Sequence, residues 1–147
     1  MSDALAARLA VLAAWAPTLE SAQLTFGRWE PSWTDGNGVM HLGWYEFSPE
    51  ADRFRREMAS AGWVQPVDWM AWARSPAGRT MIEDPVRVAS ATADELVLLV
   101  TAAIRGDRFS EGSLAGAYES GMLLAIARRA QALLATRPNE IRGDERA

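Results

Sequence analysis

Thr92-Ala93-Asp94-Glu95-Leu96-Val97-Leu98-Leu99-Val100-Thr101-Ala102-Ala103-Ile104-Arg105-Gly106 is the stretch whose reading decides the fold class. Thr92 and Glu95 have the spacing of a capping box, in which each side chain serves the other residue's backbone amide. Leu96, Leu99, Val100 and Ala103 then recur at helical spacing and form one apolar stripe to about Ile104. Gly106 is placed to terminate the helix. A second, longer helical pattern is expected from about Ser110 to Ala135, ended by Pro138. The expected organisation is one globular domain over residues 1–137 and a polar, disordered tail over 138–147.

Outward from this anchor, most of the chain reads as helix. Met1–Ala16 has Leu5, Leu9, Leu12 and Ala16 at helical spacing, and Pro17 stops the pattern. Ser48-Pro49-Glu50 is a helix start, with Phe54, Met58 and Ala61 on one face and Gly62 as its C-cap. Trp63 stands where a hydrophobic contact closes such an end. Asp68 is placed to cap a short helix carrying Trp69 and Trp72, which Pro76-Ala77-Gly78 breaks. Pro85 ends the short element after it.

Two segments alternate instead. Leu24–Trp29 and Val39–Phe47 read as strands, with Asp35-Gly36-Asn37-Gly38 turning between them. The expected hairpin has a connection of about eight to nine residues, with Pro31 and Trp33 at its tip. The whole is an α+β domain, mostly helical, with a small antiparallel β-hairpin packed on about four to five helices.

Composition narrows the chemistry. The 147 residues are 49% hydrophobic and 23% charged, with a formal net charge of −4. All 15 basic residues are arginine, there is no cysteine, and His41 is the one histidine. These zeros exclude disulfides, thiol nucleophiles, zinc fingers, iron–sulfur clusters, lysine Schiff bases and the P-loop lysine. No two-histidine metal site can be built within one chain, and neither a metal nor a cofactor is expected. No apolar run reaches the roughly 20 residues that span a bilayer. Asp3 and Arg8 spoil the N-terminal stretch as a signal peptide, so the expected location is the cytoplasm. The acidic balance argues against nucleic acid as a partner, since phosphate neutralisation needs a concentrated positive face.

One block is more specific. Arg105-Gly106-Asp107-Arg108-Phe109-Ser110-Glu111-Gly112-Ser113-Leu114 joins the last two helices. If the final helix is continuous, Glu111, Tyr118, Met122 and Arg129 fall within about 20° of one direction. Glu111 is then expected on the buried face, paired with Arg105, Arg108 or backbone amides, because a lone buried charge is costly. Gly112, Gly116 and Ser120 give small residues every four positions. They imply close approach of another element or, in the functional reading, of a ligand at a helix N-terminus. The arginines are either a structural network or a bidentate anion receptor.

This block, followed by Glu119-Ser120-Gly121 and Ile126-Ala127-Arg128-Arg129, resembles the signature of a bacterial domain-of-unknown-function family. Tyr45-Glu46-Phe47-Ser48-Pro49 and Asp68-Trp69-Met70-Ala71-Trp72 match two further segments of that family, so the resemblance covers about residues 24–135. The family carries a histidine near the position of Ser113, and serine here makes that histidine dispensable. The resemblance implies one domain and names no activity.

Seven tryptophans are many for this length. They either fill the core of an alanine-rich domain or form an exposed shelf that stacks a planar ligand or docks a protein. His41 reads as a half-buried strand residue. Three functions fit. The first is a non-catalytic binding or protein-interaction module with a Trp- and Arg-lined surface, taking a protein partner or a small anionic or planar ligand. The second is a small hydrolase or transferase using Glu111 or Asp107 as base and Arg105 and Arg108 as anion clamps. The third is a regulator bound to a larger protein or nucleic acid. Self-association is compatible with each. The candidate site residues are Trp33, Asp68, Trp69, Arg105, Arg108, Glu111 and Tyr118, expected where the hairpin tip and Asp68-Trp69 meet the Arg108–Glu111 corner.

Overall fold

The computed structural model describes residues 1–146, with side chains to Thr136. The last helix runs on to Arg146, so the expected end at Pro138 is not there, and the expected disordered tail over 138–147 falls on residues whose side chains are not described. The architecture is α+β and mostly helical. No helix among the described residues is long and apolar enough to cross a membrane.

The N-terminal pattern folds as two helices, not one. Helix α1 (Asp3–Ala13) starts at Ser2, whose Oγ accepts from the Leu5 amide, and α2 (Ala16–Glu20) follows after a break at Ala14-Trp15. Pro17 lies in the first turn of α2, where its missing amide costs nothing. Of the expected stripe Leu9, Leu12 and Ala16 are buried and Leu5 is half-buried; Trp15, between the two helices, is buried as well.

Helix α3 (Pro49–Ala61) matches its sequence signals. Ser48 Oγ accepts from the Ala51 amide, and Gly62 adopts φ 87° after the last turn. Trp63 then folds back: its amide donates to Met58 O at 2.9 Å and its buried indole Nε1 donates to Arg8 O. One residue thus closes α3 and ties it to α1. Asp68 caps α4 (Trp69–Arg74) by accepting from the Ala71 amide. Pro76 does not merely end α4. It opens α5 (Pro76–Glu83) behind a new cap, Ser75, and Pro85 likewise opens a 3-10 turn over Pro85–Ser90. Proline in a first turn is a start signal as readily as a stop, which is why more helices form than the pattern suggested.

Helix α6 (Ala93–Gly106) forms where the sequence placed it and packs against α4 and the last two helices. Both halves of its capping box form, and Leu96, Leu99, Val100 and Ala103 are buried. Burying each of the leucines and the valine contributes about 1.5–3 kcal/mol. Thr101, also buried, is satisfied on both sides: its hydroxyl donates to Trp63 O and accepts from the Gln65 amide.

The continuous final helix is corrected. It is split into α7 (Ser113–Glu119) and α8 (Met122–Arg146) by Gly121 at φ 84°, and Gly112 at φ 93° precedes α7. Glu111 therefore lies before the helix, and the single-face alignment of Glu111 with Tyr118, Met122 and Arg129 does not exist. Helix α8 packs Leu123, Ile126, Ala127 and Ala130 into the core, and Arg129 Nε donates to Ala91 O at 2.8 Å.

The hairpin forms as two short ladders. β1 (Gly27–Glu30) pairs with β4 (Trp44–Phe47), and β2 (Trp33–Thr34) with β3 (Met40–His41). Both ladders keep one numerical register, from Gly27 opposite Phe47 to Thr34 opposite Met40. Pro31 lacks an amide and interrupts the pairing between them. The turn is only Asp35–Gly38, so Trp33 belongs to a strand and not to the tip of a long loop.

Candidate ligand site around Trp69

The Arg105–Leu114 block is a corner held by its carboxylates. Asp107 Oδ1 accepts from the Gly112 amide (3.1 Å) and the Leu114 amide (3.2 Å). Gly112 carries no side-chain cap of its own, so Asp107 supplies it from across the loop. The amides of Gly112, Ser113 and Leu114, which a ligand anion would have needed at this helix start, are taken. Glu111 is exposed, not buried, and its Oε1 accepts from the Tyr45 amide at 2.7 Å. Among the described residues no ion pair joins Glu111 to Arg105 or Arg108. The expected partner class, a backbone amide, is present; the burial and the arginine pairing are not.

The small-residue stripe divides. A Cβ at Gly112 would lie 2.6 Å from Cζ2 of Trp29, so that position does need glycine. A Cβ at Gly116 would meet nothing within 4 Å. Gly116 faces a cavity of about 380 Å³ built by five helices. Trp69 and Ala73 of α4, Ile82 of α5, Leu99, Ala102 and Ala103 of α6, Ala117 of α7 and Met122 of α8 supply its apolar walls. Ser113 and Ser120 are its polar groups. Ser120 Oγ accepts from the Met122 amide, whereas the Ser113 hydroxyl has no partner among the described residues. Tight packing was the expected reading of Gly116, and its space is open.

Trp69 is also a wall of a second depression, about 260 Å³, lined by Val67, Asp68, Met70, Arg105, Arg108 and Phe109. Its ring lies 6.1 Å from that of Phe109. Neither Arg105 nor Arg108 is ion-paired among the described residues. Four of the seven expected site residues, Asp68, Trp69, Arg105 and Arg108, thus meet at one place.

The other three do not join them. Trp33 stacks on His41 at 4.3 Å and 11° in the outer hairpin. Tyr118 stacks on Phe26 at 4.6 Å and 10°, pinning α7 to the hairpin base. Glu111 is committed to Tyr45. Nor is His41 half-buried: it is exposed, and its Nε2 lies 3.0 Å from Asp35 Oδ2. The tryptophans split as well. Trp15 and Trp63 are core, while Trp29, Trp33 and Trp44 are each about half exposed.

Trp69 draws α4 against the Gly106–Gly116 corner, within a sequence stretch recognisable as a unit. One family model spans residues 4–136. The chain belongs to DUF6508, a family of unknown function. No curated protein and no solved structure matches the chain. Family membership thus agrees with the resemblance seen in the sequence and assigns DUF6508 no chemistry, which leaves the argument to the site. A wider, shallower groove of about 800 Å³ runs along α3 past Arg55 and Arg56. Arg55 is already engaged there by Asp52 and by the Phe47 ring. The cavity behind Trp69 is the more enclosed, and it has the apolar lining with few polar groups that ligand pockets show.

Proposed function

We propose that this domain is a non-catalytic binding module for a small amphipathic ligand: a planar or apolar body carrying one anionic group. The observation that carries the reading is the double use of Trp69. One side of it walls an uncharged cavity of about 380 Å³, within the usual range for ligand pockets. It also walls the depression in which Arg105 and Arg108 stand without ion-pair partners. Guanidinium groups beside an aromatic ring suit a carboxylate, sulfonate or phosphate whose body stacks on that ring.

The catalytic alternative gains less support. Its two candidate bases, Asp107 and Glu111, both accept hydrogen bonds from backbone amides. Such bonds hold each carboxylate in place, which suits a structural corner more than proton transfer.

The test is a fluorescence titration with 8-anilinonaphthalene-1-sulfonate, an anionic planar probe, and with N-phenyl-1-naphthylamine, its neutral analogue. Trp69→Ala should weaken both. Arg105→Ala with Arg108→Ala should weaken the anionic probe alone. Equal loss of both probes in the arginine variant would remove the anion subsite from the proposal.

A further inference from the structure

The two edges of the base ladder of the hairpin are treated differently. Ser48 N–H donates to Phe26 O at 2.9 Å, which fixes Arg28–Glu46 and Glu30–Trp44 as the hydrogen-bonded pairs. The amides of Tyr45 on β4, and of Gly27 and Trp29 on β1, therefore point away from the ladder. Glu111 takes the Tyr45 amide. No described group takes those of Gly27 and Trp29, and β4 is the close neighbour of β1. An unpaired strand edge is a template for another strand.

The hairpin around this edge is unusually apolar for an exposed surface. Trp29, Trp33, Met40 and Leu42 are 55%, 54%, 66% and 78% exposed. Val39 and Trp44 are exposed as well. The charges on β1 are arranged symmetrically. Arg28 and Glu30 flank Trp29, and their side chains already pair at 2.7 Å within the strand.

We propose that β1 pairs antiparallel with β1 of a second copy about a two-fold axis through Trp29, giving a four-stranded sheet. At that register the two Trp29 residues exchange N–H···O bonds, and each Gly27 amide reaches Pro31 O of the partner subunit. Arg28 then stands opposite the partner's Glu30, and Glu30 opposite the partner's Arg28. Opposite charges directly across a ladder are favourable, and like charges are not. Centring the axis on Arg28 would set arginine against arginine and would demand amides already given to β4. Pro31 lacks an amide only at the end of the new ladder, where strand proline is tolerated. The self-complementary order Arg28-Trp29-Glu30 is what selects a second copy over an unrelated strand.

Sedimentation velocity of the whole chain over a concentration series tests this. The parent should dimerise reversibly. Arg28→Glu and Glu30→Arg should each weaken the dimer by about tenfold or more, because each puts two like-charged pairs across the axis. An equimolar mixture of the two variants should associate again, since each then meets its complement. Far-UV circular dichroism checks that both variants are folded, and the double exchange Arg28→Glu/Glu30→Arg should dimerise like the parent. A parent that stays monomeric at high micromolar concentration overturns the proposal. So do single variants that dimerise as tightly as the parent, or a mixture that does not associate.

Discussion

Glu111 Oε1 accepts a 2.7 Å hydrogen bond from the backbone amide of Tyr45, across 66 residues of chain. This is how the helical corner grips the hairpin: an ionised acceptor covers an outward amide of the sheet edge. Charged hydrogen bonds contribute about 1.5–3 kcal/mol when buried and less in partial exposure. Glu111→Ala should therefore destabilise the domain by about 1–2 kcal/mol in urea unfolding. Glu111→Gln keeps an acceptor and should cost less than the alanine variant. Equal stability of the alanine variant and the parent would mean that the bond contributes nothing.

Asp107 is expected to matter comparably. It caps α7 at two amides, and loss of such a cap typically costs about 1 kcal/mol and up to 2. Asp107→Ala should lower the unfolding midpoint, while Asp107→Asn should retain most of the stability. Hydrogen exchange at Gly112 and Leu114 should accelerate in the alanine variant alone.

These two carboxylates also show what the sequence made legible. The block around them was recognisable as special, and its arginines and Asp68-Trp69 do meet. What could not be read was that Gly121 takes a positive φ and splits the last helix, because Glu119-Ser120-Gly121 also fits a helix interior. A continuous wheel then buried Glu111 and closed the face of Gly116. Local signals with one mechanism were reliable: the Thr92 box, the Ser48 and Asp68 caps, and Gly62 with Trp63 all formed. Signals with two mechanisms were not. A helix does end shortly before each of Pro17, Pro76 and Pro85, but each proline also opens the next element, and small residues mark contact at Gly112 but space at Gly116. The cavity needs α5, α6 and α8 together, a long-range arrangement that no local pattern encodes.

Gly116→Leu follows from that distinction. With open space at its Cβ, and a helix position at which glycine costs about 1 kcal/mol relative to alanine, the variant should be at least as stable as the parent. Thermal unfolding measures this directly. A large loss of stability would show that the face is closed after all.

Asp35 gives a pH dependence at the outer hairpin. His41 first, then the amides of Val39 and Asn37, hold its carboxyl below the ordinary value of 3.8. The folded form thus favours the ionised state. Its contribution is fully present above the unfolded carboxylate range and is lost as pH falls through the lower folded value. The carboxyl carbon of Asp35, followed by NMR, should titrate with a midpoint under 3.8. Asp35→Asn should remove this acid-dependent change at the turn. A midpoint at or above the ordinary value would contradict the bonding described.

The central claim is that the space between Trp69 and Gly116 receives a ligand body. Its most direct measurement is the affinity of N-phenyl-1-naphthylamine for the parent and for folded Gly116→Leu, read by fluorescence titration. The neutral probe isolates the cavity from the arginines, and the leucine fills the cavity while leaving the exposed hairpin tryptophans untouched. The account predicts saturable binding to the parent, weakened at least about tenfold by Gly116→Leu, a factor worth 1.4 kcal/mol. Unchanged binding in the stable variant would place the probe elsewhere and contradict the assignment of this cavity.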